Sequence, residues 1–145
     1  MLFHVNIPTV SVLKSTLKFP VHRIYCVGRN YVEHAQEMGH SGKEAPFFFL
    51  KPNDTILHNE SASSVEMAYP TLTKNLHYEC ELVVALGKGG KDISVEKARE
   101  LVYGYAVGLD MTRRDLQNEC KSKGRPWSIG KGFEQSAPIG CITPA

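Results

Sequence analysis

The sequence predicts an α+β protein, and three observations carry that prediction. Residues 76–86 (LHYECELVVAL) have the composition of a strand, and Gly87 ends it. Residues 104–110 (GYAVGLD) form a second apolar segment of strand length. The predicted helices do not alternate with the strands in a regular βαβ order, so a mixed or antiparallel sheet is expected. A length of 145 residues suits one domain.

The other elements follow from short apolar segments and from residues that favour helix ends. A leader of strand and loop is expected over residues 1–22, followed by strands at 23–28 and 46–51. Helices are predicted at 31–38, 95–103 and from about 113 to 123. Their proposed N-terminal caps are Asn30 with Glu33, Ser94, and Thr112 with Asp115.

Composition excludes several classes of function. The net charge is +2, from 17 basic and 15 acidic residues, and the basic residues are scattered, so no nucleic-acid partner is expected. No apolar run approaches the ~20 residues of a membrane span. The N-terminus lacks the pattern of a signal peptide, which favours a cytoplasmic location. The four cysteines are far apart, so reduced thiols are expected rather than a zinc site.

Two glutamates lie two residues apart in the predicted strand 76–86. Because side chains alternate between the faces of a strand, Glu79 and Glu81 project side by side, and the rest of the strand is expected to be buried. Adjacent carboxylates repel one another unless a cation or a proton intervenes. The pattern fits a metal site, and it also fits a solvated sheet edge. The opposite face carries Tyr78, Cys80, Leu82 and Val84.

A third carboxylate, Asp110, lies at the carboxyl end of the apolar strand 104–110. Three carboxylates with open positions suit Mg²⁺ or Mn²⁺, which are hard ions that prefer oxygen ligands. A turn or the cap of the next helix would also explain an aspartate here.

Two further groups of residues are of the types that carry out catalysis in enzyme active sites. His34 and Glu37 are three residues apart on a predicted helix, so they share a face on which the carboxylate could orient the imidazole as a general base. Lys131 lies between two glycines, which would let it enter a site closely. The alternatives are an exposed polar helix face and an ordinary loop lysine.

Taken together, these pieces resemble one family. Five segments occur in the order seen in the fumarylacetoacetate hydrolase family: GRNYVEHAQEMG (28–39), PFFFLKPNDTI (46–56), HYECELVVALGK (77–88), GYAVGLDMTRRDLQ (104–117) and GRPWSIGKGFEQSAPIG (124–140). The combination ExE…DxTxRDxQ…GxPW…K is far more specific than any single piece. The resemblance covers nearly all of residues 23–145 and is closest to the smaller acylpyruvate-hydrolase-like members.

The resemblance implies a mixed β-sandwich roll, a homodimer and a set of site residues. It maps the metal ligands onto Glu79, Glu81 and Asp110, with Mg²⁺ as the expected ion and Mn²⁺ or Ca²⁺ as alternatives. It maps the catalytic pair onto His34 and Glu37, the active-site lysine onto Lys131, and the substrate-facing positions onto Arg114 and Gln117. Members of the family continue beyond the position of Ala145, so the C-terminal part of the domain is expected to be absent from this chain.

The resemblance also implies a reaction. A metal-assisted hydrolase would cleave a C–C bond in an acylpyruvate-type 2-oxo acid. One alternative is a decarboxylase of an oxaloacetate-type 2-oxo acid, and another is an isomerase or hydratase of a related diacid. A truncated remnant that dimerises or binds without turnover is the non-enzymatic alternative.

Overall fold

The computed structural model describes residues 2–28, 30–31, 45–58 and 64–145. The strands among them are β1 (Thr9–Ser11), β2 (Lys18–Pro20), β3 (Ile24–Gly28), β4 (Phe47–Lys51), β5 (Ile56–Leu57), β6 (Leu76–Leu86), β7 (Val102–Arg113), β8 (Ala137–Pro138) and β9 (Thr143–Pro144). The helices are α1 (Val95–Ala98), α2 (Arg114–Ser122) and α3 (Ser128–Lys131), with 3₁₀ turns at Asn53–Thr55 and Arg99–Leu101.

The long hairpin of β6 and β7 organises the molecule. The two strands pair antiparallel from Leu76 opposite Arg113 to Leu86 opposite Val102, and β9 pairs with the other edge of β7. Strand β6 has the predicted bounds. Strand β7 extends beyond the predicted 104–110 at both ends, because its ladder with β6 continues there.

The remaining strands form short pairs around this hairpin. Strand β1 pairs with β2, and β3 pairs with β4, both antiparallel, whereas β5 and β8 are parallel. Parallel and antiparallel pairs therefore coexist with short helices, which confirms the predicted α+β class with mixed strand pairing.

The core lies where the first hairpin packs against β6, β7 and the chain leading to β9. Its buried apolar residues are Val10, Val21, Ala85, Ala106 and Ile142. The first 22 residues therefore contribute two side chains to the core rather than lying apart from it.

The other face of β6 differs from the expectation. The sequence predicted a strand that is buried apart from its glutamates, but Tyr78 is 77% exposed and Leu82 is 64% exposed. Alternation itself holds, since the glutamates and Ala85 point to the opposite, inner side.

Helices α1 and α2 begin within one residue of the predicted positions, but the predicted end of α1 and the predicted capping hydrogen bonds of both helices are wrong. The helix expected over residues 95–103 ends at Ala98, because Leu101 O accepts a hydrogen bond from Gly87 N–H at 2.9 Å and the chain then enters β7. Neither Ser94 nor the N-cap of α2 makes a side-chain capping hydrogen bond to its helix.

The predicted capping box at the start of α2 is replaced by other contacts. Thr112 belongs to β7, and its hydroxyl donates to Asp110 O at 3.0 Å. The carboxylate of Asp115 accepts bonds from the Thr73 hydroxyl at 2.6 Å and from Lys74 N–H at 3.0 Å, which fasten the preceding loop to α2. The helix predicted at 31–38 lies almost entirely outside the described residues. Within the described ranges, no helix is long and apolar enough to cross a membrane.

Candidate active site

The β6–β7 ladder brings the three predicted carboxylates to one face. Glu79 lies directly opposite Asp110, and Glu81 lies opposite Gly108. Directly opposed residues of an antiparallel pair project to the same side, so all three carboxylates point inward. A Cβ on Gly108 would lie 2.7 Å from Val83 Cγ2, so only glycine fits opposite Glu81 without displacing its neighbours.

Lys131 enters this face from α3 and joins two of the carboxylates. Its Nζ donates to Glu79 Oε2 at 2.6 Å, to Asp110 Oδ2 at 2.8 Å and to Thr112 Oγ1 at 2.7 Å. The lysine is only 2% exposed. Its position depends on Gly130, where an added Cβ would lie 3.0 Å from Gln117 N, so the two helices approach too closely for a side chain.

A second buried lysine, Lys51 at the end of β4, was not among the predicted site residues. Its Nζ lies 2.8 Å from Asp110 Oδ1 and donates to Met111 O at 3.1 Å and to Lys131 O. The contact with Oδ1 is an ion pair without hydrogen-bond geometry, so that oxygen accepts no well-formed hydrogen bond. Burial lowers the pKa of Lys51, although the charge of Asp110 opposes this.

The sequence contained a signal for Lys51. It shares its strand face with Phe47 and Phe49, which are partly buried, so the alternation already placed a lysine on the inner side of β4. Lysine is almost never fully buried unless it is paired.

Arg114 and Gln117, the predicted substrate-facing residues, lie beside the carboxylates at the start of α2. Arg114 donates through Nη2 to Glu79 Oε1 and through Nη1 to Gln117 Oε1, the latter at 2.6 Å. Burial alone would raise the pKa of Glu79, but the charges of Lys131 and Arg114 and their hydrogen bonds outweigh it, so that pKa is lowered.

Glu81 has the opposite electrostatic environment. Its pKa is raised, first by burial and then by the negative charges of Asp110 and Glu79, while a hydrogen bond from the Tyr31 phenol opposes the shift. The negative charge at this end of the site is therefore less compensated than at Glu79.

The donor set fits a hard divalent cation in chemical type, since three carboxylates share one face and Asp110 Oδ1 lacks a well-formed hydrogen bond. Formally, the charges of Lys51, Lys131 and Arg114 balance the three carboxylates. Within the described ranges, no three histidine, cysteine, aspartate or glutamate side chains converge closely enough to hold a metal ion as placed. Lys131 Nζ lies between Glu79 and Asp110, so a cation shared by them would require that ammonium to shift.

The predicted catalytic pair, His34 and Glu37, lies outside the described residues. The structure therefore brings together six of the named side chains, and Lys51 with them: Glu79, Glu81, Asp110, Arg114, Gln117 and Lys131.

A pocket opens from the carboxylates along α2. Phe49, Lys121 and Trp127 contribute to its walls, together with Arg114 and Gln117. A larger cavity of about 370 Å³ is lined by residues such as His22, Arg23 and Asn53. None of the three carboxylates lines that cavity, so the chemistry belongs to the smaller pocket.

The site residues lie within a region that a known family shares. The sequence model described as Fumarylacetoacetate (FAA) hydrolase C-terminal matches residues 23–145. The chain belongs to the fumarylacetoacetate hydrolase family, and it has the α+β fold of that family.

Solved structures and curated relatives agree on this family. A fumarylpyruvate hydrolase from Pseudomonas aeruginosa, solved in complex with Mn²⁺ and pyruvate, is 54% identical with a TM-score of 0.95, over 100% of this chain and 63% of that chain. The mitochondrial oxaloacetate tautomerase FAHD1 of Bos taurus is 44% identical over 121 residues, which are 83% of this chain and 53% of the relative.

A third relative carries a different activity in its name. The mitochondrial oxaloacetate decarboxylase of Dictyostelium discoideum is 40% identical over 122 residues, which are 84% of this chain and 55% of the relative. The chain thus spans about half the length of the curated relatives it matches.

Proposed function

We propose that the chain is a divalent-metal-dependent enzyme that hydrolyses a C–C bond in acylpyruvate-type 2-oxo acids. The observation that carries the proposal is the set of three inward carboxylates that line one pocket with Lys131 and Arg114, together with the buried Lys51 that contacts Asp110. A neighbour at 54% identity is a fumarylpyruvate hydrolase with Mn²⁺ and pyruvate bound, which supports a 2-oxo acid as the ligand class.

Glu79, Glu81 and Asp110 would hold the cation, with Mg²⁺ as the first choice and Mn²⁺ or Ca²⁺ as alternatives. The ion would supply Lewis-acid polarisation of the substrate oxygens. Arg114 and Gln117 would bind the substrate carboxylate near Glu79 and orient it, as Arg114 does for Glu79 in this structure.

The lysines would stabilise charge that develops during cleavage. Breaking the C–C bond expels a pyruvate enolate, and the ammonium of Lys131 would lie where negative charge accumulates. Lys51 supports this arrangement because its Nζ donates to the carbonyl oxygen of Lys131 and contacts Asp110. Lys51 and Lys131 are both almost fully buried, so their positive charges would act on the substrate with little screening by water.

His34, oriented by Glu37, would remove a proton from a water that attacks the distal carbonyl carbon. The new C–O bond at that carbon replaces the C–C bond, which breaks as the enolate leaves. This role rests on the family resemblance, which places the pair in the segment GRNYVEHAQEMG. A positioned general base contributes typically about 10²–10⁴-fold to a rate.

A second candidate function is decarboxylation or tautomerisation of oxaloacetate. The named activities of the Bos taurus and Dictyostelium discoideum relatives favour it. Decarboxylation needs the same enolate stabilisation but no attacking water. A homodimer and a cytoplasmic location remain proposals, and the names of these relatives place them in mitochondria.

The test compares both reactions in wild type and in the variant His34→Ala, with Mg²⁺ or Mn²⁺ saturating. Hydrolysis of an acylpyruvate should fall by about 10²–10⁴-fold, and oxaloacetate decarboxylation should fall less. His77→Ala is a matched control, because His77 is exposed and its ring bonds only to Asn75 among the contacts described. Absence of any turnover in the wild-type chain, with either metal, would contradict the proposal and favour a non-catalytic remnant.

A further inference from the structure

A second cavity lies at the end of the β3–β4 hairpin, and none of the three carboxylates lines it. Its volume of about 370 Å³ is within the range of roughly 300–1,000 Å³ that is usual for small-molecule sites. Residues 22–24, where the chain enters β3, and residues 50–53, where it leaves β4, line the cavity together with Ser128 and Gly132 of the α3 region. Since Ile24 lies opposite Lys51 in the strand register, the first two segments run side by side.

The walls of this cavity are held in place by contacts within the protein. Asn53 Nδ2 donates a hydrogen bond to Val21 O at 3.1 Å, which joins the chain entering β3 to the chain leaving β4. The turn after β4 is fixed by the Thr55 hydroxyl, which donates to Pro52 O at 2.6 Å. A Cβ on Gly132 would lie 3.1 Å from Pro52 Cδ, so the end of α3 approaches this turn closely. The cavity is therefore preformed, and a ligand would not have to order it on binding.

The charged side chains that line the cavity are all cationic. They are Arg23 and Lys51, with the imidazole of His22 beside them, and no aspartate or glutamate is among the described lining residues. The ammonium of Lys51 is already bound to Asp110 and to two backbone carbonyl oxygens. By contrast, no described residue makes a hydrogen bond or an ion pair with the side chain of Arg23 or of His22. Within the described part of the chain, Arg23 is therefore available to an anion.

The other lining groups indicate what kind of anion fits. Polar donors are supplied by separate segments of the chain, since Arg23 belongs to the entry to β3 and the Ser128 hydroxyl belongs to α3. A phosphate monoester presents three acceptor oxygens in different directions, whereas a carboxylate presents two in one plane. The side chains of Ile24, Leu50 and Pro52 add an apolar surface, which a bare phosphate ion would leave uncovered.

We infer that this cavity binds a small organic phosphate monoester, with the phosphate on Arg23 and the apolar body against Ile24 and Leu50. The guanidinium would bind two phosphate oxygens through its fork of N–H groups, a geometry that a lysine does not reproduce. This second site takes a ligand that is not the 2-oxo acid, and the inference does not depend on the proposed function.

The experiment is isothermal titration calorimetry of the full 145-residue chain at pH 7.5 with saturating Mg²⁺. The probe is phenyl phosphate, and the comparison ligands are inorganic phosphate and benzoate. We expect one phenyl phosphate per chain. It should bind at least about fourfold more tightly than inorganic phosphate, the equivalent of one buried CH₂ group. It should bind at least about 10-fold more tightly than benzoate, as expected for one more hydrogen bond between charged groups.

Two sets of variants test the cavity directly. Arg23→Gln should weaken phenyl phosphate binding by about 10- to 100-fold, and Arg23→Lys should weaken it less because the charge remains. Arg99→Gln is the matched control, since Arg99 is exposed and lines neither pocket. Leu50→Glu places a negative charge on the wall and should also weaken binding, by more than the neutral Leu50→Gln does. Leu50 is 54% exposed, so both of its variants should fold.

The variant Arg114→Gln shows whether the phosphate lies in this cavity or beside the three carboxylates. It should bind phenyl phosphate as wild type does, because Arg114 lines only the other pocket. A loss in Arg114→Gln without a loss in Arg23→Gln would overturn the inference. So would absence of binding to wild type, or binding of benzoate or inorganic phosphate as tight as that of phenyl phosphate. These results leave the proposed function untouched, since turnover of an acylpyruvate tests that separately.

Discussion

Replacing Lys131 by methionine tests how the carboxylate face is held together. Lys131→Met keeps most of the side-chain volume but removes the ammonium that bonds Glu79, Asp110 and Thr112 at 2.6, 2.8 and 2.7 Å. Two carboxylates that lie opposite each other would then lose the cation between them. We expect the folded state to be destabilised in the absence of divalent ions.

The magnitude follows from which contacts survive. Removing one partner of a buried ion pair costs about 3–5 kcal/mol. Glu79 would keep Arg114 and Asp110 would keep Lys51, so the lower end, about 3 kcal/mol, is expected. With a urea dependence of about 1–3 kcal/mol per molar, the unfolding midpoint should fall by roughly 1–3 M.

The assay is urea unfolding followed by the fluorescence of Trp127, with and without Mg²⁺. A divalent ion could occupy the place of the lost ammonium, so Mg²⁺ should raise the unfolding midpoint of Lys131→Met by more than that of wild type. A free Mg²⁺ concentration of 100 times its dissociation constant would add about 2.7 kcal/mol to the free energy of unfolding. Lys123→Met, at an exposed ion pair, should leave the midpoint unchanged. A loss below about 1 kcal/mol in Lys131→Met would refute the reasoning that the ammonium stabilises a buried pair of carboxylates.

Two further predictions concern residues around the site. Burial first, and then the charge of Asp110, raises the pKa of Cys26 to about 12, so at pH 9 only about one thiol in a thousand is ionised. Mass mapping of iodoacetamide adducts at pH 9 should show that exposed Cys80 reacts while Cys26 stays unmodified. The rate at which Cys26 is modified should rise with pH up to about pH 12. Equal rates for the two cysteines at pH 9 would contradict this. Gly130→Ala should cost about 1–3 kcal/mol in urea unfolding because its Cβ meets Gln117, whereas Gly89→Ala, with open space, should not show that cost.

The sequence predicted best the features that depend on neighbouring residues. Strand β6 was correct at both ends, because an alternating apolar segment is followed directly by Gly87. The shared face of Glu79 and Glu81 follows from the same alternation. The local capping pattern failed at Thr112 and Asp115 because both residues make long-range contacts instead. Thr112 pairs with β6 in the strand ladder, and the carboxylate of Asp115 accepts hydrogen bonds from the loop at residues 73–74.

The assembly of the site could be predicted only in part. Nothing local indicates that Asp110 pairs with Glu79, because the register of β6 and β7 is set by the whole hairpin. Lys51 was missed since a lysine at the end of an apolar segment is typical of a strand edge. Only its position on the same face as Phe47 and Phe49 indicated that it is buried.

Titration with Mn²⁺, followed by the electron paramagnetic resonance signal of the free ion, tests most directly whether the three carboxylates form a metal site. We predict one bound ion per chain. Glu81→Gln and Asp110→Asn should each weaken binding by at least the roughly 10–100-fold that the loss of an outer-shell partner typically costs. Glu100→Gln, at an exposed position outside the pocket, should bind as wild type does. Absence of Mn²⁺ binding, or binding that neither carboxylate variant weakens, would contradict the account.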